Sequence, residues 1–411
     1  MPALIRRQAQ GHPERRRVEG RLSAVLAMAL LLCGPTARAQ QAAHQHDQAP
    51  VPWQWSVEGA AFAGYNYQWR KFTDFDEIES QNWWMTTLQK SFGVSDLNLV
   101  AMFSLEPFTL RDIGSPQVFQ TGETFNGAPL IDYQHPHDLI MNLGGAYSHT
   151  VRSSMVSVAA YAVGPAPLGP PVFMHRASAI ENPQAPLSHH HLDASHITPG
   201  VVSIGVEKNG FEVEAGAFHG REPDENRLDL DTAALDSYAI RASWADGPWS
   251  FQISGGHLKT PETTSPYNQD RLTASASFFK GDEGHAIAWT AAFGQNREVF
   301  GNLEAYLFEV TRRSGKNALY GRAESVAKDI LDAGFHPIGV AHTHRQSQIG
   351  AITGGYIRDF AAPAWGTFGI GGDITVYYVP DNLSESYGSP VSFHVFVRYR
   401  GRTGARLQHV H

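Results

Sequence analysis

The sequence predicts an all-β chain: a transmembrane antiparallel outer-membrane β-barrel of about 16 strands. Three observations predict it. Apolar and polar residues alternate with period two through some 16 segments of about ten residues, the length that crosses a membrane as a tilted strand. The joins between segments alternate short and long, as periplasmic turns and outer loops do. Only 18% of the 411 residues are charged, whereas aromatics reach 11% and glycine 39 residues. That balance suits a wall facing lipid better than a soluble α/β enzyme.

Taken in order, residues 1–39 read as a signal peptide. Arg6, Arg7, Arg15, Arg16, Arg17 and Arg21 form a basic region, Leu22–Leu32 an apolar one, and Ala37-Arg38-Ala39 a cleavage site. The sole cysteine, Cys33, follows Leu32 where a lipid-anchoring signal needs a small residue, so no lipid anchor is expected. Cleavage leaves no cysteine, which excludes disulfides, thiolate metal sites and cysteine nucleophiles. The formal charge is −8, and loss of a leader with seven Arg and two Glu leaves −13. An acidic chain points away from nucleic acid and toward cations as partners.

Residues 40–54, with His44 and His46, read as a disordered periplasmic tail, 55–400 as the barrel, and 401–411 as a C-terminal tail beyond Tyr399. In the first segment Val57, Gly59, Ala61, Ala63, Tyr65, Tyr67 and Trp69 share one face; Ser56, Glu58, Asn66 and Gln68 share the other with Phe62. Trp249, Phe251 and Ile253 alternate with Ser250, Gln252 and Ser254, and Val391, Val395 and Val397 with Ser392, His394 and Arg398. Short joins are expected at Val151–Ser154, Asn209-Gly210, Asp246–Pro248, Gly281–Gly284 and Ser314–Asn317; Asn209-Gly210 is a strong two-residue hairpin signal. Long joins are expected at Thr109–His137, Gly164–Ile197, Glu222–Ala234, Thr260–Asn268 and Asp329–His344. A soluble sandwich would also alternate, but its outward face would be polar, whereas here it carries Trp, Tyr and Phe near segment ends, as membrane interfaces require.

The chemistry concentrates in Leu130–Thr198. Seven of the 20 histidines, His135, His137, His175, His189, His190, His191 and His196, lie in two loops joined by one hairpin, which brings both loops to the same end of the barrel. Strand parity places them, with His336, His342 and His344, on outer loops, and His219 and His257 near outer strand ends. Imidazoles favour Cu(II), Zn(II) or Ni(II). The metal-ligating candidates are His135, His137, Asp138, His175, His189, His190, His196, His342 and His344. Asp132, Glu181 and Asp193 are further oxygen ligands or acceptors behind the imidazoles. Adjacent histidines cannot all face one ion, so His189–His191 supplies a subset. The spacing matches no strict zinc signature, and loop histidines also serve as plain hydrogen-bonding groups.

Two other readings compete. Ser188-His189 or Ser195-His196 as nucleophile and base would make a lipid hydrolase, although sequence neighbours rarely meet productively and no G-x-S-x-G elbow occurs. Alternatively the long loops fold inward as constrictions, and Arg111, Asp112, Glu123, Arg176 and Glu181 set ion preference.

The runs Ser104-Leu105-Glu106-Pro107, Gln120–Thr124, Gln134-His135-Pro136-His137-Asp138, Met174-His175-Arg176, Glu181-Asn182-Pro183 and Ser188-His189-His190 resemble a family of Gram-negative outer-membrane β-barrel proteins of unassigned function. The resemblance covers most of Trp55–Tyr399. It implies a porin-like barrel and an association with heavy-metal, especially copper, resistance, and assigns no role to single residues. The expectation is therefore a non-enzymatic outer-membrane channel, surrounded by lipid and possible as a homotrimer. Its His-rich outer mouth binds or passes copper or zinc among small ions and solutes; a lipid hydrolase or a plugged receptor barrel is the alternative.

Overall fold

The computed structural model describes residues 52–404 apart from 232–233, 264, 283, 300 and 332–344. The expected leader, most of the first tail, His336, His342, His344 and residues 405–411 lie outside these. Sixteen strands close one antiparallel barrel: β1 (Gln54–Arg70), β2 (Thr73–Phe92), β3 (Ser95–Phe103), then β6 (Ile140–Val151) to β18 (Val391–Gly404). Within the third join, β4 (Ser115–Phe125) and β5 (Ala128–Gln134) form a separate hairpin. Ladder pairing of β1 with β18 from Trp69↔Val391 to Ser56↔Gly404 closes the wall, so no strand edge meets lipid. β18 thus runs past Arg400, where the tail was expected to begin.

The alternation becomes an outside and an inside. Trp249, Phe251 and Ile253 are exposed on the outer wall while Gln252 and Ser254 are buried inside. Val391, Val395 and Val397 face out; Ser392, His394 and Arg398 face in, and Arg398 is wholly buried. Trp244, Trp249, Phe278 and Trp289 cluster at the short-turn end, an aromatic girdle at the interface.

The five expected short joins are all tight turns. Asn209 and Gly210 both take positive φ, 53° and 76°, as a type I′ hairpin turn demands. The five expected long joins are long, and the join at 379–390 adds another. Two joins on the long-loop side, 71–72 and 299–300, are short, so the parity rule is relaxed there.

Inside, the structure departs from the outer-mouth expectation and follows the alternative of inward-folded loops. Residues 165–197 and the β4–β5 hairpin do not stand over the outer mouth; they fold into the lumen and fill it. Nearly every residue of β4, and of 178–195, is buried. The polar inner wall explains this. Asn66 and Gln68 of β1 bond Ser115, the Pro116 carbonyl and the Val118 amide of β4. Arg176 pairs with Glu309 of β14 (Gly301–Ser314), and Ser188 donates to Glu324 of β15 (Asn317–Lys328). Glu181 reaches Arg313, next to last in β14, and Arg398 and Arg400 of β18, so the segment descends to the periplasmic end. Inward apolar side chains complete the fit: Phe62, Trp83, Met102 and Phe396 of the wall pack with Phe173, Met174 and Ile197 of the plug. Each such burial is worth about 1.5–3 kcal/mol.

Candidate functional site

The two His-bearing loops meet, but inside the barrel. His135 and His137 follow β5. His189 and His190 lie in α1, a single helical turn (His189–Leu192), and His196 closes the short 3-10 turn after it. Their five rings form a closed circuit. His135 contacts His137 at 6.4 Å between centroids, His137 contacts His196 at 5.5 Å, and His196 contacts His189 at 5.2 Å. His189 contacts His190 at 5.3 Å, and His190 returns to His135 at 6.0 Å. Phe173 packs against both His137 and His189.

Each ring has its Nδ1 engaged. Glu106 Oε2 lies 2.8 Å from His137 Nδ1, Asp193 Oδ1 2.7 Å from His189 Nδ1, and Glu222 Oε1 3.2 Å from His190 Nδ1. The Nδ1 atoms of His135 and His196 face the Pro136 and Asp193 carbonyls. The Nε2 atoms of His137, His190 and His196 are buried without a hydrogen-bond partner. A carboxylate behind one nitrogen and a free lone pair on the other is how metal-ligating histidines are oriented. Burial pushes His135, His189 and His196 below the usual imidazole range, which favours the neutral form that binds metal. The ring is a frame of oriented imidazoles, not a closed coordination sphere. Among the described residues the three ligand atoms lying within 4.8 Å of one another belong to the loop residues Asp224, Asp229 and Asp231, outside this ring.

A cavity of about 40 Å³, bordered by His135, His137, Glu106, Trp83 and Phe173, adjoins the ring. A cleft of about 390 Å³ at the mouth, lined by Asp112, Asn126, Glu225 and Arg227, also touches His135. His135 therefore stands between the mouth and the interior. A larger depression of about 860 Å³ lies on the outer wall around Val202, Ile204, Tyr238 and Ile240, away from this chemistry.

The remaining candidates separate from the ring. His175 packs edge-on against Trp83 of the wall, centroids 4.7 Å apart. His191 is buried in the field of Lys328 and Arg271 instead, so the adjacent histidines do diverge. Asp138 binds Arg227, and burial raises its carboxyl to about 6. Asp132 binds Arg70 and the Phe119 amide. Of the charges weighed for ion preference, Arg111, Glu123, Arg176 and Glu181 are each consumed in ion pairs: with Glu77, with Arg227, with Asp193 and Glu309, and with three arginines. Ser188 donates to Glu324 and Ser195 to the Leu168 carbonyl, both deep in the lumen, so neither serine faces lipid. Glu106 and Glu222 orient the ring from positions that no sequence pattern assigns a role. Glu106 carries a signal only as part of Ser104-Leu105-Glu106-Pro107, and nothing near Glu222 marks it.

Gly122 shows why the backbone suits this arrangement. Its φ is +146°, and a Cβ there would sit 2.3 Å from the His190 ring. Only glycine lets β4 pass beneath that imidazole.

No family model matches this chain, and no curated protein does. Among solved structures, the high-pH form of Pseudomonas putida OprB is 9% identical and covers 85% of this chain and 94% of its own, with a TM-score of 0.53. A loop-deleted OmpT, an outer membrane protein of Vibrio cholerae, is 11% identical and covers 84% and 99%, with a TM-score of 0.46. The likeness to OprB extends over the whole barrel, and with a closed sixteen-strand wall that is apolar outside it makes the chain an outer-membrane β-barrel of porin-like fold.

Proposed function

We propose that the chain is a narrow outer-membrane channel for small cations, and that the ring of His135, His137, His189, His190 and His196 binds a transition-metal ion, copper or zinc, in transit. The observation that carries this reading is the circuit of five lumen imidazoles, three buried and two half-buried, with carboxylates behind three of them and unpartnered Nε2 atoms on three. Imidazole and carboxylate together suit Zn(II) and Cu(II). A cavity of about 40 Å³ is too small for sugars or peptides and takes roughly one water or one ion. Conduction then needs binding strong enough to admit the ion and weak enough to release it. Lipid surrounds the apolar wall. Association as a homotrimer, as for other porin-like barrels, is part of the same reading, with the short strands β9 (Phe211–Phe218) and β10 (Ser237–Asp246) as the side where subunits meet. The lipid-hydrolase reading loses its support, because Ser188 and Ser195 are buried in the plug.

The test is conductance of the refolded protein in a planar bilayer, with zinc or copper added at micromolar levels from the loop side. Block or selective passage that disappears in the His137→Ala/His190→Ala variant is expected. Conductance and metal affinity identical in the variant would overturn the assignment of the ring.

A further inference from the structure

A second cluster of lumen side chains lies on the wall, separate from the histidine ring. β1 presents Gly64 and Asn66 inward between β2 and β18. In register, Gly64 faces Glu79 of β2, and Asn66 faces His394 of β18. Glu79 and His394 are 4% and 5% exposed, so both are removed from solvent.

Each of the two is locked by neutral or acceptor groups on one atom only. Glu79 Oε1 accepts from Asn66 Nδ2 at 2.9 Å, Gln81 Nε2 at 2.7 Å and Ser115 Oγ at 2.7 Å. Its Oε2 has no hydrogen-bond partner. Among the described residues Glu79 has no Lys or Arg in ion-pair contact, unlike Glu181 or Glu309. His394 Nδ1 lies 2.5 Å from Asp373 Oδ1, and Tyr320 Oη donates to Asp373 Oδ2 at 2.7 Å. The His394 Nε2 is also buried without a partner. The register sets the two on the strands either side of β1, two positions apart along it, with both side chains turned to the lumen.

A buried carboxylate oxygen with no cation is costly, and so is a buried imidazole nitrogen with no donor. One species satisfies both at once. A carboxylate on Nδ1, as Asp373 is here, is the arrangement that presents the Nε2 of a ligating histidine. Glu79 and Asp373 together carry two negative charges, which a divalent cation neutralises. We propose that Glu79 and His394 form a second cation site in the lumen, one that takes a divalent transition-metal ion of the Zn(II) class. Gln81 and Ser115, which hold Glu79, also line the 40 Å³ cavity that His135 and His137 border. Glu79 is thus one hydrogen bond behind the wall of that cavity. Two protein ligands leave most of the ion's coordination open, which suits a station passed in transit more than a resident metal.

The inference extends the cation reading above but is separable from it. The experiment is equilibrium dialysis of the refolded protein against Zn(II), with zinc counted by elemental analysis. The forms are wild type, Glu79→Gln, His394→Gln, Asp373→Asn and His137→Ala/His190→Ala. Heat-modifiable gel mobility confirms that each barrel is folded. Wild type is expected to bind two equivalents. Glu79→Gln and His394→Gln, which keep side-chain shape, are expected each to lose one, and Asp373→Asn to weaken that equivalent about tenfold or more. The ring variant is expected to keep it. A crystal of the zinc-soaked wild type should then give anomalous scattering between Glu79 and His394. Zinc stoichiometry unchanged in Glu79→Gln and His394→Gln overturns the proposal, as does loss of this equivalent in the ring variant, or a bridging water without anomalous signal. If the pair variants lose a zinc while the ring variant binds as wild type, this site stands and the ring reading falls.

Discussion

Glu181→Gln is the perturbation that tests how the lumen is closed. Glu181 ties the tip of the plug to Arg313 at 2.5 Å, Arg398 at 2.8 Å and Arg400 at 3.2 Å. Asp359 shares two of these, binding Arg313 at 2.6 Å and Arg398 at 2.5 Å. Three guanidiniums thus face two carboxylates, and the substitution leaves three facing one, with Arg398 wholly buried. Removing one partner of a buried ion pair costs about 3–5 kcal/mol. The carboxyl itself gives an independent figure. Burial pushes it up, but Arg400, Arg398 and Arg313 outweigh burial and hold it at about 2 against an ordinary 4.5. That difference corresponds to about 3 kcal/mol at neutral pH. At about 1.4 kcal/mol per tenfold, the undocked plug should become about a hundredfold more populated. Because the carboxyl is depressed, its stabilisation is complete above the ordinary carboxylate value and is lost as pH falls toward 2. The wild-type plug should stay docked at pH 5 and release only in strong acid. The assay is open probability in planar bilayers, with limited proteolysis of 165–197 from the periplasmic side. The barrel's own thermal transition should move little, since its strand ladders do not involve Glu181. If the variant opens no more often than wild type and its plug resists protease equally, the periplasmic lock does not hold the plug.

The other predictions concern the ring and its surroundings. Gly122→Ala should displace His190, destabilise the fold by about 1–3 kcal/mol and weaken zinc binding, read by calorimetry and melting; unchanged zinc affinity would show that His190 is not a ligand. Ser188→Ala removes one buried hydrogen bond to Glu324, worth about 1 kcal/mol, and should leave fatty-acid release at background; hydrolysis that depends on Ser188 would revive the lipase reading. Cross-linking in mild detergent should give a trimer, and bulky charged residues on β9 should break it; a monomer in lipid would remove that part of the proposal.

Much of the fold was legible because a barrel writes itself into the sequence with period two. Val391 to Tyr399 must alternate if one face meets lipid and the other the lumen. Asn209-Gly210 fixes its own turn, since both residues tolerate positive φ. The meeting of the two histidine loops was also legible, because one hairpin, β6 with β7 (Ser154–Gly164), ties their ends together.

The depth of those loops was decided only by the tertiary structure. A 33-residue join can stand over a mouth or descend through it, and its sequence reads the same either way. What decides is the inner wall: Glu309 and Arg313 sit on β14, Glu324 on β15 and Arg398 on β18, all more than a hundred residues from the plug in sequence. Only barrel closure gathers them into partners for Arg176, Ser188 and Glu181. The same closure sets the five histidines in a ring inside the lumen and not at an outer mouth, with Glu106 and Glu222 behind two of them. It also set Glu79 and His394, 315 residues apart in sequence, on the strands either side of β1. Period and turn chemistry are local and therefore readable; charge pairing across a closed lumen is not, because it depends on which strands become neighbours.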